Sequence, residues 1–411
     1  MRASVLDLCR TAEWLTARRV RGYAVILILA SIGLLANSYV KAMGTDGTDF
    51  LAFWGAGHVT AGGDPSAAYD LSVQERVQTA TGSKGWFAFV NPPPFLFVAA
   101  PFGWLSFPLA WVAWVGSWFM LWTWATIRAF PRYWLPVLAF PGALLAAGHA
   151  QTGLLTGALL VSGVTLLDRR PLLSGALLGA LVIKPHLALL VPFWLAAGGR
   201  WRSFTAAGTS ALALLTVSWV VFGTQTMLAY TTSWDASAAI MASDDPQFYL
   251  RMASVYSQLR LFATPSLALA TNAVVMLGLV GLAMFSWRQA GGDAMASGTA
   301  MLTGTALASP YLFNYDLPFL IVPILWLANE GRTRGFRSFE KLALIGLFLA
   351  PYATRAAALP LGVNLMPLAS AILCWLVWTR AGRTARGKTE GADATNRGTA
   401  HKCGELMASM G

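Results

Sequence analysis

Long apolar runs separated by short polar segments make up most of this chain. The first run, Tyr23 to Val40, is close to the roughly 20 residues that an apolar helix needs to cross a bilayer. Several later runs are shorter or contain proline and glycine, which indicates broken helices around a cavity. We therefore predict an all-α polytopic membrane protein with about 12 transmembrane helices, outer-side loops and short interfacial helices. The later runs lie near Phe95–Trp104, Leu109–Ile127, Trp134–Ala147, Leu154–Leu167, Leu172–Ile183, Leu187–Ala197, Thr205–Phe222, Leu261–Trp287, Ala294–Ala308, Leu317–Ala328, Leu342–Pro351 and Leu359–Trp378.

Two polar stretches are long enough to form loops outside the membrane, a first outer loop over 43–91 and a second over 223–260. In the first, six glycines between Gly44 and Gly63 argue against a long helix. Leu71 to Thr79 fits a short interfacial helix, and the three prolines after Asn91 predict an extended segment. The domain boundaries expected from this pattern are a cytoplasmic segment over 1–22, a transmembrane domain over 23–380 and a basic, disordered cytoplasmic tail over 381–411.

Composition and charge agree with this class of protein. Hydrophobic residues make up 56% of the chain and charged residues 11%, whereas a soluble domain has roughly 25% charged residues. The net charge of +11 does not indicate nucleic-acid binding, because the lysines and arginines lie in short clusters between apolar runs. Such clusters favour the cytoplasmic side of a membrane. They lie at the N-terminus and at Arg169/Arg170, Arg200/Arg202, Arg288, Arg332 to Arg337 and Arg380 to Arg386.

The segment from Leu172 to Ala197 has two interpretations. In the first, the chain runs outward to Ile183 and returns from Leu187, so that Lys184 lies near the outer surface and the flanking arginines stay inside. In the second, one helix crosses the membrane and buries Lys184 at mid-depth. We favour the first interpretation because it keeps the basic clusters on one side.

Ionisable and amide side chains interrupt the apolar runs at four places, and such groups at membrane depth are functional candidates by default. A single polar side chain of this kind more often has a structural role. Here the apolar runs are interrupted at four places that can all face the outer side, which also fits one shared functional site. The candidates are Asp46 and Asp49 in the first outer loop, His149 and Gln151 in GHAQTG, Lys184 and His186 in KPH, and Asn314, Tyr315 and Asp316 in SPYLFNYD, together with Asn91.

The chemistry of these side chains is complementary. A carboxylate at Asp46 or Asp49 suits a general base that deprotonates a hydroxyl. The cation of Lys184, with His186, suits a leaving phosphate, and the amides and hydroxyls of the other candidates suit sugar hydroxyls. These parts together describe glycosyl transfer from a phosphate-activated sugar. Asp49 is favoured over Asp46 because the apolar run that follows it can fix its position.

Other chemistries lack support in the sequence. The three cysteines, Cys9, Cys374 and Cys403, are too far apart for a CxxC site. No P-loop, GxGxxG, HExxH or GxSxG motif is present, so nucleotide hydrolysis and proteolysis are not expected. No cofactor is expected, and no cluster of ligands supports a divalent metal.

Five motifs occur in an order that resembles a known family. They are DFLAFWGAGHVTAGGDPSAAYD, FVNPPPFLFVAAPF, GHAQTG, IKPHLALLVPFWLAAGGRWR and SPYLFNYDLPFL. Across roughly residues 20–330 they resemble glycosyltransferase family 87, polytopic GT-C enzymes related to polyprenyl-phosphate-mannose-dependent α-mannosyltransferases of bacterial envelopes.

The resemblance implies a GT-C fold, a polyprenyl-phosphate-linked sugar donor and a catalytic aspartate that falls on Asp49. The lysine–proline pair of the family falls on Lys184 and Pro185. It also implies a hexosyltransferase of the bacterial plasma (inner) membrane that faces the periplasm or exterior and glycosylates a glycolipid or glycan. Two motifs depart from the family: GHAQTG stands where relatives often have GQ-x-N, and Asn314-Tyr315 where some members have histidine. The donor or acceptor can therefore differ from that of mannosyl transfer.

Two alternatives from other classes remain open at this point. A transporter or lipid-linked-sugar flippase also uses broken helices and polar residues at membrane depth. It would place its charged residues along a path through the membrane, whereas an enzyme would gather them on one face beside a lipid-sized groove. A non-catalytic assembly subunit would leave Asp49 replaceable.

Overall fold

The structure is a computed structural model that describes residues 5–242 and 245–383, so most of the predicted tail over 381–411 lies outside the described residues. The regular elements in these residues are all helical, as predicted, and the strand-like pairing described is an isolated bridge between Met252 and Phe313. The α-helices are α1 (Val5–Thr11), α2 (Ala17–Ala42), α3 (Phe50–Ala61), α4 (Leu71–Thr79), α5 (Leu96–Gly103), α6 (Phe107–Ala129), α7 (Trp134–Leu138), α8 (Pro141–Gly148), α9 (Gly153–Leu166), α10 (Pro171–Gly179), α11 (Val191–Ala197), α12 (Trp201–Ala242), α13 (Pro246–Leu250), α14 (Val255–Leu259), α15 (Pro265–Gln289), α16 (Ala294–Ala308), α17 (Ile321–Arg334), α18 (Glu340–Leu361) and α19 (366–383). Short 3₁₀ helices cover Pro65–Tyr69, Pro93–Phe95, Pro131–Tyr133, Ala180–Ile183, Pro185–Leu187 and Asn314–Leu320.

Four helices in the described residues are long and apolar enough to cross a membrane, namely α2, α15, α18 and the Trp201–Asp235 part of α12. Their apolar side chains face outward, and on α2 Ile26 is 62% exposed and Leu29 is 63% exposed. Lipid can cover such a surface, whereas water would leave it as a large apolar patch. The protein is therefore a helical membrane protein. The predicted count of about 12 spans is not supported, because most of the other apolar runs form helices too short to cross a bilayer.

The first outer loop contains a buried helix that the sequence analysis did not predict. α3 has 12 residues and its first eight are buried, although its glycines argued against a long helix. Gly57 lies where α3 crosses α5, and a Cβ there would come within 2.3 Å of the Ala99 carbonyl oxygen. Glycine at this crossing allows close helix packing instead of breaking the helix. The short helix predicted over Leu71–Thr79 is confirmed as α4.

The second predicted outer loop begins with helical structure that extends to Ala242, and its position outside the membrane stays a prediction. α12 continues through Gly223 to Ala242. Gly223 has φ 80° and ψ 165°, a conformation that is essentially restricted to glycine. The first helical segment of α12 therefore ends at Phe222, where the predicted apolar run Thr205–Phe222 ends, and a second segment follows the kink. The rest of this loop contains α13, capped by Asp245, and α14, capped by Ser254.

The chain between α10 and α12 turns back on itself near Lys184. Ser203 Oγ donates to the Pro171 carbonyl at 2.8 Å, and Ser210 Oγ donates to the Ala176 carbonyl at 2.9 Å. From Pro171 to Ala176 along α10, the contacting residue on α12 changes from Ser203 to Ser210. α10 and the first part of α12 therefore run parallel. α11, which connects them, must therefore return toward the end where α10 began. These contacts favour the outward-and-return interpretation over a single helix.

The basic segments meet at one end of the bundle. Arg200 pairs with Asp168 at 2.9 Å, and its guanidinium lies 4.9 Å from the centre of the Trp287 ring. α2, which is about 39 Å long, leads from this end to the first outer loop. Such an arrangement matches the positive-inside pattern, and the side of the membrane that this end faces stays a prediction. Further hydrogen bonds at this end join Gln289 to Trp378, Arg337 to Thr379 and Arg10 to Ser338.

Candidate functional site

One cavity collects most of the predicted site residues. Its volume is about 810 Å³, within the usual range for small-ligand sites. Asp316 does not line it but lies behind Lys184. Asp46 is exposed and does not line it. The eight candidates that line the cavity are Asp49, Asn91, His149, Gln151, Lys184, His186, Asn314 and Tyr315.

Asp49 precedes the first turn of α3, and its side chain makes no hydrogen bond to cap that helix. Instead, Asp49 Oδ2 accepts a hydrogen bond of 2.6 Å from Gln151 Nε2. The positive end of the α3 dipole adds a favourable field for a carboxylate. Asp49 is therefore oriented by one amide, while Oδ1 has no hydrogen-bond partner among the described residues.

Gln151 is placed by a strained turn between α8 and α9. Ala150 has φ +47°, in the left-handed region that residues with a side chain rarely adopt. It is also only 1% exposed, so close packing holds the turn in this conformation. At Gly153 a Cβ would lie 1.9 Å from the Tyr315 carbonyl oxygen. Glycine therefore lets the Gln151 turn pack directly against the SPYLFNYD segment.

Lys184 forms a buried ion pair with Asp316. Lys184 Nζ also donates to Thr152 Oγ1 at 3.0 Å, and Asp316 Oδ2 accepts the backbone N–H of Phe313 at 3.2 Å. Loss of one partner from such a pair leaves an uncompensated buried charge. Through these contacts Lys184 connects the KPH segment to the turn that carries Gln151 and to the SPYLFNYD segment. The carboxylate of Asp316 also neutralises the charge of Lys184, which the sequence analysis assigned to the donor phosphate.

Asn314 belongs to a buried amide network. Its Nδ2 donates to the Pro351 carbonyl at 2.8 Å and to Thr354 Oγ1 at 3.1 Å. Its Oδ1 accepts a hydrogen bond of 2.8 Å from Asn364 Nδ2. Because both amide protons are engaged, Asn314 is better placed to hold the cavity wall together than to donate to a sugar.

Aromatic rings and amides line another part of the wall. The Tyr315 ring stacks on Phe313 with 4.9 Å between centroids, and the His149 ring lies 5.8 Å from Tyr315. Asn91 Nδ2 makes one long hydrogen bond, 3.4 Å to the Ile183 carbonyl oxygen. These three candidates, Tyr315, His149 and Asn91, thus retain polar groups for a ligand.

Tyr311 and His186 pack edge to face at 5.8 Å between ring centroids. Burial, and after it the charges of Asp316 and Asp49, raise the pKa of Tyr311. Its phenol therefore remains a hydroxyl at neutral pH. The Nε2 atom of His186 is buried and has no hydrogen-bond partner among the described residues, so a polar ligand would satisfy it.

Sequence reasoning missed two arginines, Arg251 and Arg355, that line the same cavity. Arg251 follows α13 in the second outer loop and is exposed. Arg355 lies within α18, one of the four candidate spans. A lone arginine in an apolar helix is a signal for a functional site. The sequence analysis ended that run at Pro351, and therefore treated Arg355 as part of a connection. Thr152 and Tyr311, which also line the cavity, were missed as well.

The fold and the cavity define a helical membrane protein with a polar site at the end opposite its basic segments. The sequence profile of glycosyltransferase family 87 matches residues 89–310, more than half of the chain, and the protein belongs to this family. It is therefore a membrane glycosyltransferase. No match was found among curated proteins or among solved structures. Asp49 and Asp316 lie outside the matched range, so their roles rest on the contacts described above.

Among residues 5–242 and 245–383, no three His, Cys, Asp or Glu side chains form a group that could hold a metal ion. The expectation that the reaction needs no cofactor stays a prediction.

Proposed function

We propose that this glycosyltransferase moves one sugar, mannose or another hexose or pentose, from a polyprenyl-phosphate-linked donor to a glycolipid or glycan acceptor outside the membrane. The observation that carries the proposal is the hydrogen bond between Asp49 and Gln151 in the wall of the cavity. A carboxylate fixed by an amide, with one oxygen left for the substrate, is what a general base requires.

In the proposed reaction, an acceptor oxygen attacks the anomeric carbon of the donor sugar and forms the new glycosidic bond. The bond between the anomeric carbon and the donor phosphate oxygen breaks, and polyprenyl phosphate leaves with the electron pair. The acceptor proton passes to Asp49, which needs to lie about 3 Å from the acceptor oxygen. A single displacement of this kind inverts the anomeric configuration.

Other residues of the cavity suit the sugar itself. Asn91, His149 and Tyr315 offer hydrogen bonds to hydroxyls, and the stacked Tyr315 and Phe313 rings offer an apolar face. The buried Nε2 of His186 needs one polar partner, which a sugar hydroxyl can supply. The cavity thus combines a few placed polar groups with aromatic walls, as small-molecule sites generally do.

The transporter or flippase alternative has less support. A transporter needs charged and polar groups along a path through the membrane. Here the candidates gather around one cavity, and the basic segments lie at the opposite end of α2. An assembly subunit without activity would need no carboxylate held in this way.

The test is a transfer assay with purified protein and a polyprenyl-phosphate sugar, comparing Asp49→Asn with Asp46→Asn. Asp49→Asn keeps the shape of the side chain and its contact with Gln151 but removes the base. We expect it to bind donor and to retain less than about 1% of wild-type transfer. Asp46→Asn, which changes an exposed carboxylate outside the cavity, should keep most of the activity.

Two outcomes would change the proposal. Loss of transfer in Asp46→Asn alone would move the base three residues upstream and leave the reaction class intact. Full transfer by both variants would show that the first outer loop is not catalytic, and the flippase alternative would then be tested by lipid translocation in vesicles.

A further inference from the structure

Three cationic side chains line the cavity in the described part of the chain: Lys184, Arg251 and Arg355. Lys184 is only 9% exposed and is paired with Asp316. The two arginines form no ion pair or hydrogen bond with another described residue through their guanidinium groups, in contrast to Arg200, Arg334 and Arg380. The positive charge that this cavity offers to a ligand therefore comes mainly from Arg251 and Arg355.

The two arginines are held on facing segments by two asparagines. Asn364 Nδ2 donates to the carbonyl oxygens of Leu250 and Met252, the residues on either side of Arg251, at 3.2 and 3.0 Å. The same amide contacts Asn314. Asn314 in turn donates to Pro351 and Thr354, in the turn of α18 that precedes Arg355. This network fixes the backbone at both arginines, so their approach to the cavity does not depend on a flexible loop alone.

Two cations without an ion-pair partner among the described residues are unfavourable beside one cavity when no ligand is bound. Both line the same cavity, and Arg355 lies in a helix that is otherwise apolar enough to span a membrane. A cation at such a depth is expensive unless it meets an anion. Arg guanidinium groups bind phosphate oxygens through paired, charge-assisted hydrogen bonds. A phosphate group would supply both guanidinium groups with the partners that the described residues do not provide.

We propose that Arg251 and Arg355 bind the phosphate of the lipid-linked donor, and that Lys184 with Asp316 holds the wall of the site instead. This inference rests on the proposed function, because it takes the phosphate from the donor assigned there. As the glycosidic bond breaks, negative charge grows on the phosphate, and the arginines stabilise it more in the transition state than in the bound donor. Asn314 and Asn364 are positioning residues for this pair.

The test measures binding of farnesyl phosphate, a short polyprenyl phosphate, and of farnesol, the same chain without the phosphate. Wild-type protein in detergent should prefer farnesyl phosphate by about tenfold or more. Arg251→Gln and Arg355→Gln should each lower that preference about tenfold, while Arg355→Lys should keep part of it. The control is Arg76→Gln, which changes an exposed arginine of α4 outside this cavity and should leave both affinities unchanged.

Each result separates the two proposals. Wild-type protein that binds both probes equally would overturn the phosphate donor of the proposed function. A wild-type preference that survives in both Gln variants would overturn the arginine assignment alone. Displacement of farnesyl phosphate by equal concentrations of inorganic phosphate or phosphatidylglycerol would also overturn it, because the site would then take any phosphate. Arg251 is exposed, so Arg251→Gln should fold even if a change at Arg355 does not.

Discussion

Gln151 orients the carboxylate of Asp49, the proposed general base. The hydrogen bond of 2.6 Å fixes one carboxylate oxygen, and the buried, left-handed Ala150 fixes the turn that carries the amide. A base that rotates freely spends most of its time in unproductive orientations. The geometry of this pair is therefore expected to affect turnover more than donor binding.

We predict that Gln151→Met lowers kcat by about 10- to 100-fold while the donor KM and the melting temperature stay close to wild type. Gln289→Met is the matched control, because Gln289 donates to the Trp378 carbonyl at the other end of the bundle. It should leave kcat unchanged. Equal kcat values for Gln151→Met and wild type would remove Gln151 from the catalytic arrangement.

The Lys184–Asp316 pair predicts non-additive effects on stability. Lys184→Met should destabilise the protein by about 3–5 kcal/mol, because it leaves Asp316 buried and unpaired. The double variant Lys184→Met/Asp316→Leu should recover most of that loss. The measurement is thermal or denaturant unfolding in detergent. A Lys184→Met variant that is as stable as wild type but binds farnesyl phosphate tenfold more weakly would instead make Lys184 the phosphate ligand.

At the residue scale, the sequence predicted which polar side chains belong to the site better than it predicted their partners. Ionisable groups inside apolar runs are visible in one dimension, and eight of ten candidates line one cavity. The partner of Lys184 is 132 positions away, and no local pattern reveals such a pairing. Arg355 was missed for a different reason, since Pro351 was taken as a helix end although α18 continues past it.

At the scale of elements, glycine was the main source of error. Glycine weakens an isolated helix, and this argued for a loop where α3 exists. In the folded protein the same residue allows two backbones to approach closely, as Gly57 does beside Ala99. Propensity describes a helix in water, whereas α3 is surrounded by protein on eight of its 12 residues.

We predict that Gly57→Ala destabilises the protein by about 1–3 kcal/mol, because the new methyl group would overlap backbone atoms of α5. Gly116→Ala is the control, since Gly116 lies within α6 and a Cβ there meets nothing within 4 Å. It should be neutral or stabilise by up to about 1 kcal/mol. Melting temperatures of the two variants in the same detergent test the contrast, and equal values would contradict the close crossing of α3 and α5.

At the scale of the whole molecule, apolar runs predicted the class of protein but not the number of spans. Hydropathy measures whether a segment avoids water, and both a transmembrane helix and a short helix packed inside the protein do so. α5, α10 and α11, for example, have eight, nine and seven residues. The basic clusters were more informative, because Arg200, Arg337 and Arg10 lie in segments that meet at one end of the bundle.

The cavity and the basic segments lie at opposite ends of the bundle, so the side of the membrane that one end faces determines the side that the other faces. α4 lies on the cavity side, because Gln78 Nε2 donates to the carbonyl oxygen of Phe87, which lines the cavity. Glu75 is exposed on the same helix, whereas Arg334 is exposed at the far end of α17, close to the basic segments. If positive charge is retained in the cytoplasm, the cavity opens outside.

The experiment uses a variant in which Cys9, Cys374 and Cys403 are replaced by alanine, so that one new cysteine at a time can be labelled. We expect a membrane-impermeant maleimide to label Glu75→Cys in intact cells and to label Arg334→Cys only after permeabilisation. Transfer activity of each variant confirms that the fold is retained. The reverse pattern would place Asp49 and the arginine pair on the cytoplasmic side, where the acceptor would have to be a cytoplasmic glycan or glycolipid headgroup.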